Sequence, residues 1–369
     1  MTMMQSNRWG EAACAMMLAA LGTCSCATDT ADVGDVPETS NNSSSMTGSG
    51  SGGTNGNDEP NSTSPSSSTT GEGGGGTNGN ENTISTNNST GFSLPPNCAE
   101  FASAFDSRWL VFDSDAGKLE RRIYAVEMNG GADPVPLTPS DVLAREPALS
   151  PDGSELAYVA NEKIRVLNLS SGEERVIVAG TQPAWSPDGS SLAYHADRGV
   201  MLFDLEEGSS SEVITCSECF EGYQNPEFSR SGEVMVMDRE NEIDWVDLDT
   251  GDTRYVVQNW TTTITHPTIS PNADWVVAGI YCEDPMSLWL NEARMTTIPC
   301  EGRRLTPMGT AASNPAWGPE TVIAYELGEA PRDIALLDVD ENTGCAIAHE
   351  GDDRNPSWAP EGFEPPDND

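Results

Sequence analysis

Apolar residues fall along this 369-residue chain in three regimes. Between Ala12 and Gly22 they form one run, Ala-Ala-Cys-Ala-Met-Met-Leu-Ala-Ala-Leu-Gly. From Ala27 to Asn97 they thin out: 50 of the 71 positions are Gly, Ser, Thr or Asn, and the first aromatic of the segment is Phe92. From Cys98 onward, short apolar runs alternate with turn-forming clusters, and no 3.6-residue apolar period persists. That third pattern predicts β-strands joined by tight turns.

The strands recur in a fixed order. A phrase reads Pro147-Ala-Leu-Ser-Pro-Asp-Gly153 and again Pro183-Ala-Trp-Ser-Pro-Asp-Gly189. Weaker copies begin at Pro226, Pro267, Pro315 and Pro356, so the starting prolines are 36, 43, 41, 48 and 41 residues apart. Ser-Pro-Asp-Gly fits a type I turn, with Ser accepting at the first position, Pro presetting φ at the second and Gly closing the fourth. A second run follows, such as Leu156-Ala-Tyr-Val-Ala160 or Val322-Ile-Ala-Tyr325. A third is Ile164-Arg-Val-Leu-Asn-Leu169 or Ile334-Ala-Leu-Leu-Asp-Val339. A hairpin signal comes next (Ser171-Gly172, Thr250-Gly251 or Thr343-Gly344), then a fourth run such as Arg175-Val-Ile-Val178.

Four short strands repeated about every 40 residues are the blades of a β-propeller. Trp109–Phe112, Ile123–Val126 and Val135–Thr138 supply strands two to four of a first blade that lacks its opening phrase. Pro356-Ser-Trp-Ala359 is an opening strand without followers. Together they complete one blade, which predicts an all-β, six-bladed propeller closed between the two ends of the ring. The blades are expected at 109–138 plus 356–360, 147–178, 183–215, 226–257, 267–305 and 315–348. In the alternative, Phe101–Phe105 supplies the first strand and Pro356 begins a capping tail.

The phrases resemble the TolB-like β-propeller repeat, whose unit runs P-x-W-S-P-D-G, L-A-F/Y, I-Y-V-x-D-L, R-L-T. The resemblance spans about residues 98–360 and implies the fold much more strongly than any activity. TolB carries a small α/β domain before its propeller, where this chain has its Ser/Gly-rich segment. Peptidase relatives add an α/β-hydrolase domain, for which no residues remain.

The amino-terminal regimes read as an address and a tether. Residues 1–26 resemble a signal peptide: Arg8 precedes an apolar run too short to span a bilayer, with Glu11 at its edge. Leu21-Gly-Thr-Cys24-Ser-Cys26 resembles a bacterial lipobox. Cys24 has the Leu three residues before it but a Thr where a smaller residue is usual; Cys26 has Ser before it but lacks the Leu. Lipidation is expected at Cys24, with Cys26 or simple cleavage after Ala27 as alternatives. Residues 27–97 bury too little to offset their ordering entropy and are expected to be a disordered tether, reaching roughly 45 Å. The propeller then occupies 98–369.

Charge narrows the partners. The chain holds 59 acids against 18 basic residues, for a net −41, and only Lys118 and Lys163 are lysines. Residues 98–369 alone carry −33. Nucleic acid is excluded as an expected partner, because phosphate binding needs clustered cations. A charged partner is expected to be cationic, and self-repulsion favours a monomer.

Candidate chemistry is sparse. The three histidines, His195, His266 and His349, share no repeat position and have no G-x-S-x-G partner, so no Ser-His-Asp device is expected. Two acidic hairpins, Asp338-Val-Asp-Glu-Asn342 and Asp247-Leu-Asp-Thr-Gly251, offer a calcium reading, but turn chemistry accounts for both. No cofactor and no metal are expected. The repeat tryptophans Trp185, Trp317 and Trp358 read as inner-strand packing rather than a sugar platform. Six cysteines lie in the propeller region and allow 15 disulfide connectivities. Cys282 with Cys300 fall in one blade and are the preferred pair. Cys216-Ser-Glu-Cys219 fits a small loop disulfide, and Cys98 with Cys345 would join neighbouring blades if the ring closes.

The expected function is a protein- or peptide-binding scaffold, exported and lipid-anchored in a bacterial envelope, outer-membrane or periplasmic, or else secreted. No catalytic activity is expected. The alternative is a carbohydrate-binding propeller, or a lyase or hydrolase with a funnel-mouth site, which requires acids, histidines and aromatics of several blades to converge.

Overall fold

The computed structural model describes Cys98 and residues 108–116, 120–128, 133–219, 222–258, 262–282, 285–347 and 350–366. The stretch read as signal and tether, with Cys24 and Cys26, lies outside the described residues, as do Phe101–Phe105 and His349.

The described residues form six antiparallel four-stranded sheets, a six-bladed propeller. Blade 1 runs β24 (Asp353–Trp358), β1 (Trp109–Ser114), β2 (Arg122–Glu127), β3 (Val135–Pro136). Blade 2 is β4 (Arg145–Leu149), β5 (Glu155–Ala160), β6 (Lys163–Asn168), β7 (Glu174–Ala179). Blade 3 is β8 (Thr181–Trp185), β9 (Ser191–Ala196), β10 (Gly199–Asp204), β11 (Ser209–Thr215). Blade 4 is β12 (Tyr223–Phe228), β13 (Val234–Arg239), β14 (Glu242–Asp247), β15 (Thr253–Gln258). Blade 5 is β16 (Ile264–Ile269), β17 (Trp275–Ile280), β18 (Ser287–Glu292), β19 (Arg303–Arg304). Blade 6 is β20 (Ala312–Trp317), β21 (Val322–Leu327), β22 (Asp333–Asp338), β23 (Gly344–Ile347). The last strand pairs with the first, Leu110 opposite Trp358 and Ser114 opposite Asp353, so the ring closes inside blade 1.

Each seam between neighbouring blades holds its own apolar cluster. In β1, Leu110 and Phe112 pack toward blade 6 on Val322, Ile334 and Leu336, while Val111 packs toward blade 2 on Leu156 and Tyr158. Successive side chains of a strand point to opposite faces, and here both faces are covered. This is why the second strands read as unbroken apolar runs, as in a sheet buried on both sides. Each enclosed Leu, Ile, Val or Phe contributes roughly 1.5–3 kcal/mol.

The turns follow their chemistry. Gly153 N donates to Ser150 O at 2.8 Å with Gly153 at φ 73°, and Ser150 Oγ donates to Asp152 Oδ1 at 2.6 Å. One hairpin differs from expectation. In blades 2 and 4 the left-handed turn residue is Gly172 or Gly251, whereas in blade 6 it is Asn342, at φ 54°. Gly344 lies instead in β23, where an added Cβ would sit 2.3 Å from Leu336 O. The phrase Thr343-Gly344 therefore marks close strand packing rather than the turn.

Candidate functional site

The six first strands surround a central channel of about 350 Å3. Just before each repeat proline stands a residue in the left-handed region: Glu146, Gln182, Asn225, His266, Asn314 and Asn355, with φ between 48° and 57°. Left-handed backbone costs a non-glycine residue about 1–3 kcal/mol. At each of these sites the ladder with the second strand slips, so two residues bulge toward the channel. Five of the freed N–H groups bond across the seams. Glu146 N donates to Asp113 Oδ1 (3.0 Å), Gln182 N to Glu146 Oε2 (2.6 Å) and Asn225 N to Gln182 Oε1 (2.9 Å). His266 N donates to Asp238 Oδ1 (3.1 Å) and Asn355 N to Glu326 Oε1 (3.0 Å). These bonds offset the backbone cost and tie blades together at five of the six seams. Sequence reasoning singled out only His266 of the six, yet the signal was present: every repeat proline follows a polar residue with a side-chain acceptor, and three of the six are Asn, which tolerates left-handed backbone well.

Asp113, fully buried on β1, anchors one side of this ring. It accepts from Arg121 Nη1 at 2.5 Å and from Asn355 Nδ2 at 2.6 Å. Burial pushes its carboxyl up to about 6 against the pull of Arg121.

The position after each repeat proline is Ala148, Ala184, Thr268, Ala316 or Ser357 in five blades and Glu227 in blade 4. A single carboxyl thus replaces a small residue in the ring of channel-lining side chains. Glu227 Oε1 accepts from Thr268 Oγ1 (2.8 Å) and Ile269 N (3.3 Å), and Thr268 Oγ1 in turn accepts from Trp317 N (2.7 Å). The relay crosses blades 4, 5 and 6. Removal from bulk water pushes the Glu227 carboxyl up to about 8, while the Thr268 and Ile269 donors pull it down. At neutral pH the group is therefore mostly protonated and can donate as well as accept.

Toward the Ser-Pro-Asp-Gly turns the channel opens into a mouth cavity of about 620 Å3. Glu227, Phe228, Ile269, Trp317 and Trp358 wall it, and Arg108, Arg230, Glu320 and Glu361 stand around it. The tryptophans do more than pack. Trp185 Nε1 donates to Ala148 O (3.0 Å) and Trp358 Nε1 to Ala316 O (3.1 Å), each reaching the preceding blade, while Trp317 Nε1 donates to Glu320 O (3.0 Å) in its own turn.

Cys98 is bonded to Cys345, Cys216 to Cys219 and Cys282 to Cys300. Among the described residues, the imidazole rings bond to oxygens other than carboxylates. His195 Nδ1 bonds Tyr223 O at 2.7 Å, and His266 Nδ1 bonds Thr265 Oγ1 at 2.6 Å. Burial holds His266 below the ordinary imidazole range, opposed by the Glu326 charge. In the acidic hairpins, Asp338 Oδ1 accepts from the backbone N–H of Asp340 and Glu341, both at 2.8 Å, and Asp247 Oδ1 from those of Asp249 and Thr250. These carboxylates serve their own turns.

The ring of blades and the repeated first-strand phrase define a TolB-like six-bladed β-propeller. The family model for the TolB beta propeller domain, PD40, matches residues 143–321. Among solved structures, the chain is similar to TolB from Acinetobacter baumannii at 16% identity and a TM-score of 0.57, covering 71% of this chain and 70% of that one. It is also similar to a chain of a nidogen/laminin complex at 10% identity and a TM-score of 0.55, covering 68% and 98%. At these identities the likeness is one of fold. No curated protein sequence matches the chain.

Proposed function

We propose that this propeller is a binding scaffold that takes a peptide or protein segment at the mouth of its central channel. The carrying observation is the mouth cavity, where Phe228, Trp317 and Trp358 offer apolar walls and Glu227, with Arg108, Arg230, Glu320 and Glu361 around it, offers charged and hydrogen-bonding groups. Concave sites that combine aromatic walls with placed polar groups bind segments by burial and orient them by hydrogen bonds. The −33 charge of residues 98–369 favours a cationic segment. An ammonium or guanidinium entering beside Glu227 would draw off its proton and form a charge-assisted bond. We further propose export and attachment through a lipidated Cys24, with 27–97 as the spacer, in a bacterial envelope.

The binding reading is tested with a photo-crosslinking residue in place of Phe228 and, separately, in place of Met308, an exposed side chain away from the mouth. Expressed in cells of its source, the Phe228 probe should yield a discrete adduct that the Met308 probe does not. Equal adducts from both, or none from the mouth, would overturn it. Mass spectrometry of the mature amino terminus tests the anchor: a diacylated Cys24 supports it, and an unmodified start at Thr28 refutes it.

A further inference from the structure

A guanidinium lies against the Cys216–Cys219 bond. Arg239, at the end of β13, places Nη1 3.3 Å from Cys219 Sγ and 3.6 Å from Cys216 Sγ. Arg198 grips the same loop by its backbone: Nη1 donates to Cys219 O at 2.8 Å and to Ser217 O at 3.1 Å, and Arg198 O accepts from Cys216 N at 3.2 Å. Arg198 thus ties the loop down through contacts that do not involve the sulfurs. Arg239 is itself held in place by Glu242, by Asp244 at 3.8 Å and by the Tyr223 ring at 5.0 Å. Two residues separate the cysteines, both of which remain partly accessible.

The other two disulfides frame the comparison. Cys345 is enclosed in the seam between blades 6 and 1. Cys300 is more exposed than either loop cysteine, but no guanidinium contact to its bond with Cys282 is among the hydrogen bonds of the described residues. Access alone thus does not distinguish the Cys216–Cys219 bond; the guanidinium does. A nearby arginine lowers a thiol's pKa, and a lower leaving-group pKa both speeds exchange and stabilises the reduced pair.

We propose that Cys216–Cys219 is an exchangeable redox disulfide that accepts two electrons from a dithiol, with Cys219 as the leaving thiolate held by Arg239. A thiolate of the dithiol attacks Cys216 Sγ. The S–S bond breaks, and its electron pair leaves on Cys219 Sγ beside the guanidinium. The second thiol of the reductant, deprotonated, then attacks its own sulfur in the mixed disulfide and expels Cys216, which takes up a proton. The dithiol is oxidised to a disulfide, and the loop is left as one thiol and one thiolate.

The test equilibrates the oxidised full chain in buffers of graded reduced-to-oxidised dithiothreitol at pH 7, followed by acid quench, alkylation and peptide mass spectrometry. Cys216–Cys219 should be half reduced at a ratio at least tenfold less reducing than Cys282–Cys300 requires, a difference of about 30 mV. Arg239→Gln should move that midpoint about tenfold toward more reducing buffer. Because Arg239 also pairs with Glu242 and Asp244, a second measurement uses the unsubstituted chain: after reduction, alkylation of Cys219 against pH should show a midpoint below the ordinary thiol value of about 8.5. A midpoint for Cys216–Cys219 no less reducing than that of Cys282–Cys300, or a Cys219 thiol that titrates at or above the ordinary value, would overturn the proposal.

Discussion

Glu227 offers a direct test of the channel's electrostatics. Its carboxyl rises from 4.5 to about 8 on folding, chiefly through burial. A raised folded-state pKa means that stability is fully present below the unfolded value and is lost as pH climbs toward the folded one. The loss therefore falls between about pH 4.5 and 8, at 1.36 kcal/mol per unit, for an upper bound of about 5 kcal/mol. The side chain is only half-buried, so solvent screening leaves less than half of this, about 2 kcal/mol. Glu227→Gln keeps an Oε1 acceptor for Thr268 and Ile269 but does not titrate. The two proteins should melt together near pH 5, and by pH 9 the variant should melt higher by about 4–6 °C. Calorimetry of both at half-unit pH steps reads the difference directly. Parallel melting curves across pH 5–9 would refute the burial argument and with it the neutral, hydrogen-bond-donating carboxyl at the mouth.

Further predictions concern the ring. Replacing Cys98 and Cys345 by Ser opens a loop spanning 247 residues, which chain entropy values at up to about 5 kcal/mol, measurable as a lower denaturant midpoint with a steeper slope, because the uncrosslinked unfolded chain exposes more surface. Asp113→Ala strands Arg121, the Glu146 N–H and Asn355 together and should cost about 3–5 kcal/mol by urea unfolding. Gly344→Ala drives a Cβ to 2.3 Å from Leu336 O and should destabilise by about 1–3 kcal/mol, whereas Gly172→Ala, with open space but positive φ, should cost about 1 kcal/mol.

The architecture was legible because it is written six times. A proline-led phrase with Ser-Pro-Asp-Gly turns fixes where each blade starts, and the orphan opening phrase at Pro356 announces that the last strand belongs to the first blade. The candidate site was much less legible. Glu227 is one glutamate among many in the sequence, and it becomes singular only when the six phrases are superposed and its equivalents prove to be Ala, Thr or Ser. The left-handed ring at Glu146, Gln182, Asn225, His266, Asn314 and Asn355 was hidden for a related reason. Proline ordinarily pushes its predecessor to extended backbone, so local rules point away from the conformation that inter-blade hydrogen bonds impose. Arg239 lies 20 residues beyond Cys219, and only the pairing of β12 with β13 carries it to the sulfurs.

Pairing β24 with β1 also sets a schedule. During synthesis at about 5–20 residues per second, β1 emerges on the order of tens of seconds before its partner. Throughout that interval blade 1 has an open edge, and the apolar residues Leu110 and Phe112 wait for blade 6. Until β24 is present, the inner edge of blade 1 has no strand to pair with. The ring can latch only once β24 has been made, and any cellular factor that guards the open edge of blade 1 must stay until that strand arrives.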